Sequence, residues 1–346
     1  MSVKIFVIGD PHFKTNNVEE TNEMSQKILY HIQRTNPDAV VCLGDVLDRH
    51  ETIHVGPLQR SIDLFQKIAV EYPLFILIGN HDRPSNQVFL TEEHPFTALK
   101  LWKNTTIVDK VVEGNVKGVS FLFVPYVPPG RFQEAIETLV SMDQIQKYQC
   151  IFAHQEFKGA KMGIVESVVG DVWDESYPLV VSGHIHDFDE LGSNIIYTGT
   201  PIQHAFGDNE DKGVFLFEFQ DGAVYEKIDL QLPKKKIVKI SCSEITSLKN
   251  LNPKYYYKIE ISGTPEELKA IKLGPFLQML PKSKIVYKTI STTKPSLMNL
   301  DFESKSFLEL LYEELEGLEE QQELIETYCE LFGMNKIAES RFVIVE

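Results

Sequence analysis

Five short apolar runs in this chain each end in residues that bind metal ions or move protons in other proteins. The runs span residues 3–9, 38–43, 74–78, 149–153 and 179–182, and the endings are D-P-H, G-D-V-L-D, G-N-H-D, H and G-H-I-H. The length and β-branched content of the runs predict fully buried strands. Polar groups at the ends of buried strands need partners, and the carboxyl ends of strands in an open α/β sheet line one crevice. We therefore expect the five endings to converge on one site.

Helical periodicity alternates with these strands in the first part of the chain. Residues 21–34 and 56–72 have apolar positions at helical spacing, and 95–103 is a shorter helical candidate. Further strands are predicted at 119–124, 194–198, 213–219 and 223–228, and the last two flank a Q-D-G hairpin signal. Strands that alternate with helices indicate a layered α/β sheet, so we predict a first domain at 1–232.

A smaller unit and a tail follow this domain. Residues 233–290 open with P-K-K-K and contain predicted strands at 237–241, 255–262 and 284–288 and a predicted helix at 265–280, which indicates a small α+β domain. Residues 291–301 are predicted to form a linker because Ser, Thr and Pro are frequent there. A capping-box pattern at 306–309 precedes apolar positions at helical spacing up to residue 333, so we predict a helical tail at 302–346.

The composition is that of a soluble globular protein, with 43% hydrophobic and 24% charged residues among 346. No apolar run approaches the roughly 20 residues of a membrane span, and the first residues enter a strand without a basic leader. The four cysteines lie far apart and form no C-x-x-C pair, which indicates reduced thiols. We expect a cytoplasmic protein that does not associate with a membrane.

The net charge of −16 argues against a nucleic-acid substrate but does not exclude one. The charge is concentrated in residues 301–346, which carry 13 acidic and 3 basic residues. The first 300 residues are therefore only mildly acidic, and bound divalent cations would reduce their charge further.

The order and spacing of the five endings make the site specific. Carboxylates, an amide and imidazoles together suit a pair of divalent transition-metal ions. The series D-x-H, G-D-x-x-D, G-N-H-D, a single His and G-H-x-H resembles the calcineurin-like metallophosphoesterase family over about residues 1–230. The resemblance implies a two-sheet α/β/α sandwich with a dinuclear metal site at the strand ends. The expected fold class is thus α/β, with a small α+β capping domain and a helical C-terminal tail.

The resemblance also assigns ligands to two metal ions. One ion would be bound by Asp10, His12 and His186, and the other by Asn80, His154 and His184. Asp45 would bridge both ions, because two neighbouring cations repel each other and need an anionic ligand between them. Imidazoles favour Mn²⁺, Fe²⁺ or Zn²⁺ over Mg²⁺, so we expect two ions of Mn²⁺, with Mg²⁺, Fe²⁺ and Zn²⁺ as alternatives.

Three further residues are expected to act in catalysis. In the family, the residue at the position of His81 contacts the phosphate and protonates the leaving oxygen. Asp48 is expected to contact the ligands from outside, and Asp82 to orient His81 or its loop. For both aspartates, capping of a helix or turn is an equally good interpretation.

Four basic residues are candidates for phosphate or DNA contacts. Arg49 and Arg83 flank the motifs, and a surface salt bridge explains them equally well. Lys14 and Lys158 are also near the motifs, although a solvated surface position is the simpler interpretation for each. Five histidines outside the motifs are assigned to ordinary surface or core positions; they are His31, His50, His54, His94 and His204.

Three features resemble the SbcD-type recombination nucleases within this family, in their compact phage- or virus-type form. They are the segment Y-T-G-T-P at 197–201 followed by F-G-D, the small domain at the position of a capping domain, and the linker with its amphipathic tail. The resemblance implies a DNA exonuclease and endonuclease of double-strand-break repair. The tail would dock on an SMC-like coiled-coil ATPase of the SbcC type. If the chain is viral, its compartment would be the host cytoplasm or nucleoid.

The sequence departs from that subfamily at two positions. The first motif continues with Phe13-Lys14 where the subfamily usually has Leu-Gly, and Asp48 stands where some members have a phosphate-binding His. The alternatives are a calcineurin-like phosphomonoesterase, a nucleotide phosphodiesterase, or a binding scaffold with a decayed site. The resemblance also implies a homodimer through helices of the first domain, for which the apolar candidates are Leu58, Ile62, Phe65, Phe96, Leu99 and Trp102.

Overall fold

The computed structural model describes residues 2–50, 52–163, 165–220, 222–273, 280, 283–289, 334–337 and 341–344. The chain divides into two compact units, Met1–Ile290 and Ser291–Glu346. The larger part of the first unit contains, in chain order, the strands β1 (Val3–Ile8), β2 (Ala39–Cys42), β3 (Leu74–Leu77), β4 (Thr105–Val108), β5 (Val112–Val116), β6 (Val119–Val124), β7 (Cys150–His154), β8 (Lys161–Met162), β9 (Val165–Glu166), β10 (Leu179–Gly183), β11 (Asp189–Leu191), β12 (Ile195–Tyr197), β13 (Val214–Phe219) and β14 (Ala223–Ile228).

These strands build two six-stranded sheets. The first has the order β14-β13-β1-β2-β3-β4, in which β1 to β4 are parallel and β13 and β14 are antiparallel. The second has the order β11-β12-β10-β7-β6-β5, in which β12, β10, β7 and β6 are parallel. The short strands β8 and β9 form a separate hairpin.

The two sheets pack face to face, and helices cover the outer face of the first sheet. Side chains alternate across a strand, so Ile5 and Val7 point between the sheets while Phe6 and Ile8 point toward the helices α1 (Val18–Thr35) and α2 (Val55–Ala69). Between the sheets, the rings of Phe75 and Phe123 stack with centroids 4.1 Å apart. The outer face of the second sheet packs on a third cluster that includes the short helix α3 (Phe132–Glu137). This layering confirms the predicted sandwich.

Residues 95–103 form a shorter element than expected, a 3₁₀ helix at Thr97–Leu101. The apolar residues proposed for a dimer interface mostly face inward: Phe65, Phe96 and Leu99 are buried in the core under the first sheet. The other three candidates are partly buried and pack against the same cluster. Burial in the monomer therefore accounts for three of the six candidates, and the homodimer stays a prediction.

The small domain combines strands and helices as predicted. Its three parallel strands have the order β15 (Lys235–Ser241), β16 (Tyr256–Gly263) and β17 (Ser283–Thr289). A 3₁₀ helix, Cys242–Asn250, lies between the first two strands, and α4 (Pro265–Leu273) follows the second. Residues 274–279, the rest of the predicted helix, lie outside the described residues.

The first residue of β15 joins the small domain to the larger part of the first unit. The backbone N–H of Lys235 donates to Gln203 Oε1 at 2.8 Å, and Gln203 Nε2 donates to the Lys235 carbonyl at 3.1 Å. The Lys235 ammonium pairs with Glu20 at 3.0 Å. A side-chain amide thus pairs with both backbone groups of one residue, as a neighbouring strand would.

The second unit is described only at β18 (Met334–Ile337) and β19 (Arg341–Ile344), which pair antiparallel. The prediction of a helical tail is therefore wrong for these residues. The predicted helical positions 302–333 lie outside the described residues. Among the described helices, none has the length and apolar character needed to cross a membrane.

Candidate metal centre

The loop after β2 places Asp45 at the carboxyl edges of both sheets. Gly44 has φ +110°, and a Cβ at that position would lie 2.8 Å from His154 Nδ1. The loop is held by Asp82, whose buried carboxylate accepts hydrogen bonds from the N–H groups of Val46 at 3.1 Å and Leu47 at 2.9 Å. Burial and then the charge of Asp45 raise the pKa of Asp82 to about 7. Asp82 therefore fixes the loop that carries Asp45.

Asp45, Asn80, His154 and His184 form one cluster of ligand atoms. Ligand atoms of Asp45 and the two histidines lie within 4.8 Å of one another. Asn80 Oδ1 is 2.9 Å from His154 Nε2 and 2.9 Å from His184 Nδ1. His154 donates from Nδ1 to the Leu43 carbonyl at 2.9 Å, which turns the Nε2 lone pair toward the cluster. The arrangement suits a cation held by two imidazoles, an amide oxygen and a carboxylate.

Asp10, His12 and His186 form a second cluster that also reaches Asp45. The Nε2 atoms of His12 and His186 face each other at 3.1 Å, and His12 Nε2 is 3.7 Å from Asp45 Oδ2. Asp10 Oδ2 accepts from the backbone N–H of His184 at 2.9 Å. Asp10 Oδ1 is buried and has no hydrogen-bond partner among the described residues. A buried carboxylate oxygen without a donor needs a positive charge, so this set fits a cation as well.

The electrostatics of the two clusters also favour bound cations. Burial lowers the pKa values of His12 and His186, which keeps both rings neutral and able to bind a metal. Burial also opposes protonation of His154, but the carboxylates of Asp45 and Asp10 outweigh it and raise its pKa to about 9. Burial and then the charge of Asp45 act against ionisation of Asp10 and raise its pKa. The site therefore stabilises positive charge where the ligand atoms converge.

Three ligand positions have a backbone conformation that L-residues rarely adopt. The φ angles are +40° at His12, +46° at Asp45 and +81° at His184. Each such residue costs on the order of 1–3 kcal/mol, and such residues cluster at functional sites. The chain tolerates this strain at the residues that bring the ligand atoms together.

His81 lies beside the clusters with its ring nitrogens in different environments. Its Nδ1 donates to the Asp48 carbonyl at 2.8 Å, and its backbone N–H donates to Asp45 Oδ1 at 2.8 Å. Nε2 is 4.0 Å from Asp45 Oδ2, and 31% of the side chain is exposed. The ring is stacked on His50 with centroids 4.6 Å apart. Nε2 is thus directed to the site and remains accessible to a ligand.

Asp48 and Lys14 lie next to His12. Asp48 Oδ1 is 3.7 Å from His12 Nδ1 and 2.7 Å from the Lys14 ammonium. Asp48 therefore contacts a metal ligand from outside the cluster and also neutralises Lys14. Arg49 is exposed, and the structure gives its guanidinium no hydrogen bond or ion pair within the described residues.

Of the two remaining basic candidates, Lys158 lies at the surface as the simpler interpretation expected, whereas Arg83 does not. Arg83 is buried, and its guanidinium donates to the backbone carbonyls of Tyr126, Val88 and Phe89. It holds the loop after Asp82 and makes neither a surface salt bridge nor a free phosphate contact. The side chain of Lys158 is exposed, and its described contact is a backbone one, from its N–H to the Asp171 carbonyl.

Sequence reasoning missed three residues of the site. His204 packs on His12 with ring centroids 4.9 Å apart, and its Nε2 is 3.2 Å from the Asp10 carbonyl oxygen. His50 covers His81, as described above. Glu156 Oε2 lies 3.8 Å from His184 Nε2, where it orients the ring. The only sequence signal for Glu156 was its place two residues after the strand-ending His154.

Two sheets that join their carboxyl edges at a buried cluster of carboxylates, an amide and imidazoles are typical of the class of metal-dependent hydrolases. The chain matches the profile of the calcineurin-like phosphoesterase family over residues 3–188. It is 37% identical over 337 residues to a protein of Invertebrate iridescent virus 3 that is named as a phosphoesterase, with 95% of this chain and 96% of that protein covered.

Two further relatives extend this comparison. A protein of Invertebrate iridescent virus 6, also named as a phosphoesterase, is 42% identical over 278 residues, which cover 78% of this chain and 97% of that protein. The SbcD component of the nuclease SbcCD of Staphylococcus saprophyticus is 22% identical over 241 residues, which cover 61% of this chain and 62% of that protein. The chain belongs to the calcineurin-like phosphoesterase family, so the resemblance drawn from its motifs is confirmed at the level of the family.

Proposed function

We propose that this protein is a metal-dependent phosphodiesterase that cleaves DNA, as the nuclease component of a complex with an SMC-like coiled-coil ATPase. The observation that carries the proposal is the position of His81 Nε2. It is accessible at the edge of the two ligand clusters and lines a cavity together with Arg49, and Arg49 also lines a larger cavity that the small domain borders. The similarity to the SbcD component of the nuclease SbcCD supports the same class of substrate.

The ligand residues fit two divalent ions, for which we propose Mn²⁺. When bound, the ions would polarise phosphoryl oxygens as Lewis acids and lower the pKa of water. Asp45 would be shared by both ions, since both clusters approach it. Two further aspartates would position the ligands without binding the ions. Asp82 holds the loop that carries Asp45, and Asp48 contacts His12.

His81 is proposed as the general acid. Its Nδ1 proton is held by the Asp48 carbonyl, so a second proton on the protonated ring sits on Nε2. That proton is the one directed to the site. A water molecule would attack phosphorus and lose its proton to solvent, the P–O bond to the leaving oxygen would break, and His81 would give its Nε2 proton to that oxygen. The stacked ring of His50 and the backbone bond to Asp45 fix the direction of transfer.

The test is a digestion assay on labelled DNA with Mn²⁺, in single-stranded and duplex form. The full-length protein is compared with its His81→Ala variant and is also assayed on a phosphomonoester. We expect cleavage of DNA, slow hydrolysis of the monoester, and loss of DNA cleavage in the variant. Rapid monoester hydrolysis without DNA cleavage would instead assign a phosphomonoesterase, and a nucleotide phosphodiesterase would cleave small diesters but not DNA.

A further inference from the structure

The backbone carbonyl of His186, one of the proposed metal ligands, is held by donors from two other segments. The Lys212 ammonium donates to this oxygen at 2.6 Å, and the backbone N–H of Thr200 donates to it at 3.1 Å. A carbonyl oxygen has two lone pairs, so these two donors satisfy it. The peptide group that follows His186 cannot turn without loss of one of these bonds. Since the backbone decides which side-chain rotamers are allowed, both bonds restrict the direction of the His186 ring.

The segment Y-T-G-T-P at 197–201 passes directly behind this carbonyl because Gly199 has no side chain. Gly199 has φ +68°, and a Cβ at that position would lie 2.8 Å from the His186 carbonyl oxygen. Thr200 follows it and is fully buried. The close approach of this segment therefore brings the Thr200 N–H to the carbonyl, and the segment supports the backbone of His186 from one side.

Lys212 reaches the same carbonyl from the beginning of β13. Strand β13 runs antiparallel to β1, and Phe215 near its first residue pairs with Val7 near the last residue of β1. Asp10 follows the end of β1, at the edge of the sheet where the ligands gather. Lys212 comes just before β13 in the chain, so the pairing of these two strands places it at the same edge.

The ammonium of Lys212 is buried, since only 6% of the side chain is exposed. A buried ammonium is costly unless it has partners, and here they are the His186 carbonyl and Asp187 Oδ1, the latter at 2.7 Å. Asp187 offsets the positive charge, which limits the repulsion between the lysine and a cation at the site. A bond from a charged donor is roughly twice as strong as one from a neutral donor, so Lys212 is the stronger of the two donors to His186.

The carbonyl that Lys212 holds belongs to one ligand cluster only. His186 lies in the cluster of Asp10 and His12, where its Nε2 atom faces His12 Nε2 at 3.1 Å. The contacts that the structure gives the Lys212 ammonium are with His186 and Asp187. Within the described residues, it makes no hydrogen bond or ion pair with a ligand of the other cluster. Any effect of Lys212 on metal binding should therefore fall on one of the two ions.

We propose that Lys212 is a positioning residue for one metal ion, the ion of the Asp10, His12 and His186 cluster. It acts through the backbone of His186, whose ring it keeps in the direction needed for binding. The proposal rests on the two-ion centre of the proposed function and not on its DNA substrate. Removal of the ammonium should therefore weaken the binding of one ion and leave the binding of the other unchanged.

The test compares metal binding by the wild type and four variants, all as full chains and without substrate. Lys212→Met keeps the length of the side chain but cannot donate a hydrogen bond, whereas Lys212→Arg still can. Lys227→Met is the matched control, because the Lys227 ammonium also contacts one carbonyl and one carboxylate, both of Asp211 in the same loop. Asp187→Asn removes the ion pair and leaves the bond from Lys212 to His186.

Equilibrium dialysis over a range of Mn²⁺ concentrations gives the number of bound ions and their affinities. The EPR spectrum of the same samples distinguishes two ions that share a bridging ligand from isolated ions. We expect the wild type to bind two spin-coupled ions. Lys212→Met should bind one ion as tightly as the wild type and the second roughly 10- to 100-fold more weakly, the usual cost of losing a residue that orients a metal ligand. Its spectrum at intermediate Mn²⁺ should be that of an isolated ion.

The controls should differ from Lys212→Met in a defined way. Lys212→Arg should recover most of the lost affinity, because its guanidinium can donate to the same carbonyl. Lys227→Met and Asp187→Asn should bind both ions as the wild type does. The ion that Lys212→Met still binds tightly also shows that this variant is folded.

The outcomes separate this proposal from the proposed function. If the wild type binds fewer than two ions, the dinuclear centre is wrong and this proposal falls with it. If the wild type binds two ions and Lys212→Met binds both with the same affinities, only the role of Lys212 is wrong. Equal weakening of both ions would show that Lys212 supports the fold in general. Equal loss in Lys227→Met or Asp187→Asn would assign the effect to the loop or to the ion pair, and no recovery in Lys212→Arg would likewise overturn the proposal.

Discussion

Replacement of His81 by alanine separates proton transfer from metal binding. The substitution removes a ring that is 31% exposed, and Nε2 of that ring is 4.0 Å from the nearest carboxylate oxygen of Asp45. The backbone N–H that donates to Asp45 at 2.8 Å stays in place. No atom of either ligand cluster is lost, so we expect His81→Ala to bind metal as the wild type does.

The expected loss of rate follows from the role of the ring. Removal of a positioned general acid costs roughly 10²–10⁴-fold in rate, which corresponds to about 3–5 kcal/mol of barrier. The loss depends on the leaving group, because an alkoxide of deoxyribose must be protonated as it leaves and a nitrophenolate need not be. We therefore expect the full loss on DNA and a much smaller loss on bis-p-nitrophenyl phosphate.

The assay compares kcat for both substrates with the metal content of the same preparations. The His50→Ala variant is assayed in parallel, because it removes the ring stacked on His81 but leaves His81 and its proton in place. Equal loss on DNA and on the activated diester would refute the role of His81 as general acid. Loss of metal from His81→Ala would show that the residue is a ligand or supports one.

Three further predictions concern the ligand cluster, the core and the tail. In Gly183→Ala the new Cβ would lie 2.4 Å from Asp10 Oδ1. The metal content should therefore fall, and the free energy of unfolding should drop by about 1–3 kcal/mol. Gly207→Ala is the control and should change neither, because a Cβ there has no atom within 4 Å. A Gly183→Ala protein with full metal content would contradict the geometry. Burial opposes ionisation of Asp109, but the hydrogen bonds from His94 and Lys100 outweigh burial and lower the pKa of Asp109. The ionised carboxylate therefore stabilises the fold at neutral pH, and this stabilisation is lost as the pH falls through the lowered pKa. Denaturant unfolding of Asp109→Asn and wild type should therefore differ at pH 7 and converge below about pH 4, and a constant difference would refute this. Deletion of 301–346 should leave cleavage of single-stranded DNA nearly intact and abolish pull-down of the ATPase, and retained binding would exclude the tail as the docking element.

The convergence of the proposed ligands could be predicted because each of these residues follows an apolar run. A buried strand that ends in Asp or His is recognisable from the sequence alone, and the parallel pairing of β7 and β10 sets His154 level with Gly183, next to His184. The two-sheet fold was accessible for the same reason, since alternating burial follows from strand periodicity.

The residues around the ligands carry no such signal. His204 lies in a loop after Pro201, and only the fold brings its ring to His12. Arg83 was expected to contact phosphate or to form a surface salt bridge, but the loops that it holds supply three carbonyls that accept from its buried guanidinium. Long-range packing decides such positions, and it leaves no periodic pattern in the sequence.

His12, Asp45 and His184 have a left-handed backbone conformation that lowers stability, at positions whose side chains we propose as metal ligands. Glycine, and to a lesser degree asparagine, adopts this conformation more readily than the residues present. A screen for heat resistance would therefore favour a substitution such as His184→Gly, since it relieves backbone strain. Such variants would melt later and bind metal worse. Thermostability engineering of this enzyme should leave these three positions out of its libraries.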